Sequence, residues 1–171
     1  LTLHYMPEQN SGEMFAEHRR WAQAHATMPA ERPVYANSRD PGRRLRVGYV
    51  SSDLRAHSVA FFFEPLLANH DKNAVETFCY SGAPRPDSTT GRLRGLAAEW
   101  RNINGLMDNQ VTQMIRDDRI DILVDLAGHT GSNRLKVFAH KPAPVQVTWL
   151  GYPDTTGLSV IDYRLTDALS D

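Results

Sequence analysis

Short apolar runs alternate with stretches of helical spacing along the chain from residue 45 onward. The runs predict strands at 45–50, 75–80, 100–103, 120–126 and 145–150. Between them, apolar residues three and four positions apart predict helices that begin near residues 59, 89, 108 and 133. This alternation is typical of an α/β domain, here a Rossmann-like parallel sheet with flanking helices.

Two of these helices carry features that can be checked residue by residue. The first has an apolar stripe, which consists of Val59, Phe62, Phe63, Leu66 and Leu67. Pro65 is expected to kink this helix or to begin a second piece, because proline has no N–H to donate. In the helix near residue 108, we expect Asp108 to be the cap and Val111, Met114 and Ile115 to be buried.

The first 42 residues have a different organisation. A helix is predicted from residue 11 to about 26, capped by Asn10 or Ser11, with His18 and Trp21 on one stripe. Three prolines between residues 28 and 42 indicate a linker. We therefore expect a helical segment and linker at 1–42, followed by a catalytic lobe at 43–171.

Composition limits the partners and compartments of the chain. It has 171 residues and a formal net charge of −1, so no overall positive field indicates nucleic acid. It has no apolar run near the roughly 20 residues of a membrane helix, and it begins at Leu1 without a signal peptide, as a piece of a longer polypeptide would. The single cysteine, Cys79, lies in an apolar run, and the histidines lack metal-site spacing. We expect a cytoplasmic protein without a metal.

The loops that follow the strands are the candidate sites, because the carboxyl ends of parallel strands share one edge of the sheet. These loops cover residues 51–58, 81–87, 127–131 and 151–157. They contain neither Gly-x-Gly-x-x-Gly nor Gly-Lys-Thr/Ser, which disfavours a dehydrogenase-type dinucleotide site. A phospho-acceptor receiver domain is disfavoured too, since no lysine ends the fifth predicted strand.

Each candidate loop allows a functional and a structural interpretation. Asp53 and His57 lie four residues apart and would share a face if a helix began near Asp53; the carboxylate would then orient a histidine base. Alternatively, His57 is a first-turn residue and Asp53 its cap. His129 and Thr130 form either a second polar pair or a helix-entry turn that Thr130 caps. The glycine-rich segment 151–157 is either a close backbone approach to a ligand or a structural turn.

Three blocks of sequence resemble the O-linked N-acetylglucosamine transferase family, which includes the SPINDLY-type protein O-fucosyltransferases. They are RLRVGYVSSD at 44–53, DILVDLAGHT at 121–130 and KPAPVQVTWLGYP at 141–153. The resemblance implies one lobe of a two-lobed GT-B glycosyltransferase, preceded by tetratricopeptide repeats, with the nucleotide-sugar mainly on the second lobe. It also implies inverting transfer of N-acetylglucosamine from UDP-GlcNAc to Ser or Thr of a protein acceptor, without a cofactor.

The resemblance assigns roles to several positions. By their match to the family, His57 and Asp53 are catalytic candidates, and His4 is a second candidate for the base. The expected substrate-binding residues are Leu150, Gly151, Tyr152, Pro153, His129, Thr130 and Met6.

The donor sugar and the activity stay open. Animal members have Asn-His-Pro-Thr where this chain has Ala56-His57-Ser58-Val59, and this segment is closer to the fucosyltransferase branch. GDP-fucose is therefore an alternative donor. A non-catalytic protein-binding lobe, and a bacterial homologue that glycosylates a small molecule or glycan, are alternative functions.

Overall fold

Six parallel strands form one sheet in the part of the chain that the structure, a computed structural model, describes: residues 10–31 and 33–168. The strands are β1 (Leu45–Ser51), β2 (Val75–Ser81), β3 (Glu99–Asn102), β4 (Ile122–Asp125), β5 (Val145–Trp149) and β6 (Tyr163–Leu165). The helices are α1 (Ser11–His25), α2 (Ser58–Asn69), α3 (Ser88–Leu96), α4 (Asp108–Asp117) and α5 (Leu135–Ala139).

The strand order is β3-β2-β1-β4-β5-β6. The chain therefore adds strands on one side of β1 and then crosses over to add the rest on the other side. All the pairings are parallel, and the register joins Val47 of β1 to both Thr77 and Ile122. The predicted Rossmann-like α/β fold is confirmed. Ligands of such sheets bind beyond the carboxyl ends of the strands, near the point where the order reverses.

Two apolar clusters cover the two faces of the sheet. On one face Phe63 and Leu67 of α2 and Leu93 of α3 pack with Tyr49. On the other face α1, α4 and α5 contribute, respectively, Ala22, Ile115 and Phe138. Alternate residues of a strand point to opposite faces, which is why Tyr49 and Val50 lie in different clusters.

Two helices differ in detail from the sequence predictions. Pro65 does not begin a second piece but lies inside one continuous helix, on the solvent side, where water can bond the Phe61 carbonyl that its missing N–H leaves open. Phe62 is 63% exposed and Leu66 37% exposed, so only part of the apolar stripe of α2 is buried. Asp108 is the first residue of α4 rather than its cap; the N-cap is Met107.

Residues 33–44, before β1, close the amino-terminal edge of the sheet, opposite the candidate loops. The Arg43 guanidinium and the Asn37 amide both donate to the Asp121 carboxylate, and each of their shortest contacts is 2.6 Å. Burial by itself would raise the pKa of Asp121. The hydrogen bonds from Arg43, Asn37 and the Arg46 N–H have the larger effect, so the pKa is lowered overall. The linker is therefore docked on the sheet.

Candidate active site

The loop after β1 brings Asp53 and His57 together, although not by helical spacing. Helix α2 begins at Ser58, so residues 53–57 form a bend before it. Oδ1 of Asp53 lies 4.0 Å from Nε2 of His57, and the Arg55 guanidinium donates to the same oxygen at 3.3 Å. The alternative in which Asp53 caps α2 is wrong, because the N-cap is His57 itself.

The cap fixes where the proton of His57 resides. Nδ1 accepts a hydrogen bond from the Val59 N–H at 3.3 Å, so in the neutral ring the proton is on Nε2, facing Asp53. A separation of 4.0 Å is too long for a direct hydrogen bond. A hydroxyl about 2.8 Å from both atoms would bridge them, since it can accept from Nε2–H and donate to the carboxylate.

The loop after β4 is held by a carboxylate that sequence reasoning did not assign to the site. Asp125 is fully buried and accepts hydrogen bonds from the Ala127 N–H (3.1 Å), the Gly128 N–H (2.9 Å) and the Thr148 hydroxyl (2.9 Å). Burial raises the pKa of Asp125, and the three hydrogen bonds oppose that rise. An aspartate directly after the apolar run of 122–124 was the signal available in the sequence.

His129 and Thr130 lie in the turn that Asp125 holds. The Thr130 hydroxyl donates to the Ala127 carbonyl at 2.7 Å, so it serves this turn and does not cap α5; Asn133 accepts the Leu135 N–H instead. His129 donates through Nε2 to the Thr156 carbonyl at 2.8 Å. Burial is the main reason that the pKa of His129 is lowered.

The turn after β5 is formed by close backbone packing against the loop after β4. Leu150 has a φ of 70°, a left-handed conformation that is strained for leucine. A Cβ at Gly151 would lie 1.9 Å from the Leu126 carbonyl oxygen, and one at Gly128 would lie 2.2 Å from Cβ of Tyr152. Both positions therefore require glycine.

Tyr152 is mostly buried and lines the same region as its neighbours in the turn. Its side chain is 8% exposed, its hydroxyl lies 2.8 Å from Nε2 of His18 in α1, and burial raises its pKa. Residues 149–153 also line a groove of about 580 Å³ together with Phe62 of α2 and residues 164–167. All four residues of the 150–153 turn therefore border the groove, and their contacts with a ligand stay a prediction.

All three loops lie at the carboxyl edge of the sheet. Strand β4 separates β1 from β5, so the ends of β1 and β5 are two strand spacings apart, about 10 Å. The Ser52 hydroxyl donates to the Gly131 carbonyl at 3.4 Å, which ties the first loop to the second. The structure thus brings Asp53, His57, His129, Thr130 and the turn 150–153 to one edge; their roles stay predictions. His4 and Met6 lie outside the described residues.

Neither a metal cluster nor a membrane helix is found among residues 10–31 and 33–168. No three side chains of His, Cys, Asp or Glu converge there as metal ligands. The helices of that part are too short or too polar to cross a bilayer. Cys79 is buried within β2, and burial raises the pKa of its thiol.

Comparisons with known proteins agree on one family. Residues 23–171 match the pattern of glycosyl transferase family 41. The chain is 41% identical to the probable UDP-N-acetylglucosamine–peptide N-acetylglucosaminyltransferase SPINDLY of Petunia hybrida, over 100% of the chain and 19% of that protein. It is 38% identical to the UDP-N-acetylglucosamine–peptide N-acetylglucosaminyltransferase of Caenorhabditis elegans, over 75% of the chain and 11% of that protein.

A solved structure has the same fold. A mutant of the Thermobaculum terrenum O-GlcNAc transferase superposes with a TM-score of 0.89 at 44% identity, over 95% of this chain and 31% of that one. The chain thus spans about a fifth of the length of its SPINDLY relative and about a third of the solved bacterial structure.

Proposed function

Since the chain belongs to glycosyl transferase family 41, we propose that it is the acceptor-side lobe of an inverting nucleotide-sugar glycosyltransferase. The reaction assigned to the longer parent is transfer of N-acetylglucosamine from UDP-GlcNAc to Ser or Thr hydroxyls of proteins. The names of the relatives favour this donor and this acceptor. The nucleotide-sugar is a substrate, and no cofactor is assigned.

One observation carries this function: Asp53, His57 and the 150–153 turn lie at the same carboxyl edge of the sheet. A half-cleft with an ionisable pair at one end and a groove at the other suits a sugar-transfer reaction. The pair would handle the acceptor proton, while the groove would take part of the donor.

The geometry of the pair favours different roles for His57 and Asp53. An acceptor hydroxyl that bridges the 4.0 Å between Nε2 of His57 and Oδ1 of Asp53 would accept from the histidine and donate to the carboxylate. His57 would then orient the hydroxyl, and Asp53 would take its proton as the oxygen attacks the anomeric carbon. Stabilising the leaving diphosphate needs positive groups or helix N-termini, which we assign to the second lobe.

The test uses the parent protein with labelled UDP-GlcNAc or labelled GDP-fucose and a protein acceptor. We expect incorporation from UDP-GlcNAc. Incorporation from GDP-fucose alone would replace UDP-GlcNAc as the proposed donor, and the proposed reaction would still be glycosyl transfer to a protein. No incorporation from either donor would favour a non-catalytic binding lobe.

His57→Asn separates chemistry from folding, because asparagine is also a good helix N-cap. We expect the variant to keep its thermal stability and to lose roughly 100-fold in turnover, the usual cost of misplacing a reacting group. His140→Asn is the matched control, because His140 follows α5 on the approach to β5, at the amino-terminal edge and away from the site. Unchanged turnover in His57→Asn would remove His57 from the active site.

A further inference from the structure

Helix α1 reaches the turn after β5 through a buried histidine. Nδ1 of His18 lies 2.6 Å from the Met14 carbonyl oxygen, which can only accept, so Nδ1 carries the proton. Nε2 of His18 is then an acceptor, and the Tyr152 hydroxyl 2.8 Å away donates to it. His18 is 5% exposed and Tyr152 is 8% exposed, so water competes little for this bond.

The same helix also packs on the two neighbouring loops. The His129 ring lies edge-on to His18, with centroids 4.9 Å apart, and is perpendicular to Trp21 at 4.6 Å. A Cβ at Gly157 would lie 2.3 Å from the His18 carbonyl oxygen, so the backbones of α1 and of the 151–157 segment are in close contact. Helix α1 therefore contacts both halves of the expected sugar-binding region.

The turn needs such support because its own backbone is strained. Leu150 is in the left-handed region, and strained residues persist only where the surroundings over-determine them. Gly151 packs on the Leu126 carbonyl and Tyr152 packs on Gly128, which fixes the turn from the β4 side. The bond from Tyr152 to His18 fixes it from the α1 side.

We propose that His18 is a positioning residue: it holds the 150–153 turn in its ligand-binding shape through Tyr152, which makes α1 part of the catalytic unit. This inference rests on the proposed function for its effect on the donor. The contact itself is independent of activity, so both can be tested in the same parent protein.

The experiment compares His18→Leu, which removes the acceptor at similar volume, with His18→Gln, whose amide oxygen can accept from Tyr152. The matched control is His25→Leu, at an exposed position near the end of the same helix. The first measurement is amide hydrogen exchange by mass spectrometry. We expect faster exchange over 150–157 in His18→Leu and unchanged exchange over the strand-end loop 81–87.

The second measurement is the KM for the nucleotide-sugar. We expect His18→Leu to raise it about tenfold, His18→Gln to recover most of the loss, and His25→Leu to match the wild type. Tyr152→Phe should raise the KM as well, and adding His18→Leu to it should cause little further change, because both changes break one bond.

Two results overturn the inference. One is unchanged exchange over 150–157 in His18→Leu. The other is faster exchange there while the KM stays at the wild-type value in an active parent, since the contact would then be structural only. An inactive wild-type parent would instead overturn the proposed function; the exchange measurement would still decide whether His18 holds the turn.

Discussion

The three histidines of the carboxyl edge carry their protons in positions that their hydrogen-bond partners dictate. Nδ1 of His57 faces a backbone N–H and must accept, whereas Nδ1 of His18 and Nε2 of His129 face carbonyls and must donate. The sequence identifies His57 and His129 as candidates by their positions after strands. It cannot predict the tautomers, because the partners Val59, Met14 and Thr156 are set by the folded backbone.

The burial of His129 gives the stability of the chain a pH dependence. Burial lowers the pKa of His129 in the folded state, so folding favours the neutral ring. The contribution of neutral His129 to the free energy of unfolding is fully present above the pKa of histidine in the unfolded chain, about 6.5. This contribution is lost as pH falls from there through the folded-state pKa. The groups that face the ring are His18, Trp21, Tyr152 and, by charge, Asp154.

The replacement His129→Gln tests this dependence, since glutamine stays neutral and offers an amide N–H to the Thr156 carbonyl. We expect the free energy of unfolding of the wild type, relative to the variant, to fall by up to about 1.4 kcal/mol per pH unit below pH 6.5. Urea unfolding of both proteins at pH 8 and pH 5.5 measures the difference. A difference that stays constant or grows on acidification contradicts the pKa direction. His25→Gln, on the exposed surface, serves as the control.

At the scale of elements, apolar periodicity predicts the strands and helices whose side chains are buried in the core. It does not predict elements whose side chains are exposed. Strands such as β1 and β4 carry buried side chains that make an apolar run visible in the sequence. The three residues of β6 are all exposed, so no such run exists and the pattern predicts no strand there. Only its parallel pairing with β5 makes it a strand.

The turn after β5 shows the same limit for a candidate site. Gly151-Tyr152-Pro153 predicts a tight bend from its residue types, but the requirement for glycine comes from the carbonyl of Leu126, far earlier in the chain. The buried Asp125, which holds the neighbouring loop, escapes sequence reasoning too, since its partner Thr148 meets it only across the sheet.

Gly151→Ala is therefore expected to be costly. Its Cβ would lie 1.9 Å from a backbone oxygen that cannot rotate away, so the two loops must separate. Strain of this kind costs about 1–3 kcal/mol, occasionally more. The matched control is Gly131→Ala in the adjacent loop, where a Cβ meets nothing within 4 Å; we expect a change within about 0.5 kcal/mol. Chemical denaturation measures both, and equal effects would contradict the close packing described for the turn.

At the scale of the whole molecule, two guanidinium groups of the carboxyl edge are engaged with neighbouring carboxylates and carbonyls. Arg55 donates to Asp53, and Arg134 donates to Asp108 and to the carbonyls of Leu106 and Ile103. In the proposed reaction, the leaving nucleoside diphosphate carries several negative charges that need cationic or N–H partners. Arg134 would supply them only by giving up the carboxylate and the carbonyls that it holds.

These engaged guanidinium groups lead to the last prediction: the 171-residue chain folds by itself but does not transfer sugar. Folding is expected because both faces of the sheet are covered within the described residues by their own helices, with two apolar clusters. Inactivity is expected because a single lobe offers half a cleft, and the exposed Phe62 and Leu165 beside the 150–153 turn leave the groove open to water. Water in the cleft weakens every electrostatic contact to the diphosphate.

A cooperative thermal transition by circular dichroism would establish folding of the isolated chain, and labelled UDP-GlcNAc with a protein acceptor would measure transfer. The longer parent, assayed alongside, should incorporate label, and its His57→Asn variant should not. Transfer by the isolated chain at a rate near that of the parent would place the whole diphosphate site within these residues. In that case a cation of this edge, Arg55, Arg85 or Arg134, would have to bind the phosphate, and replacing each by lysine would show which one does.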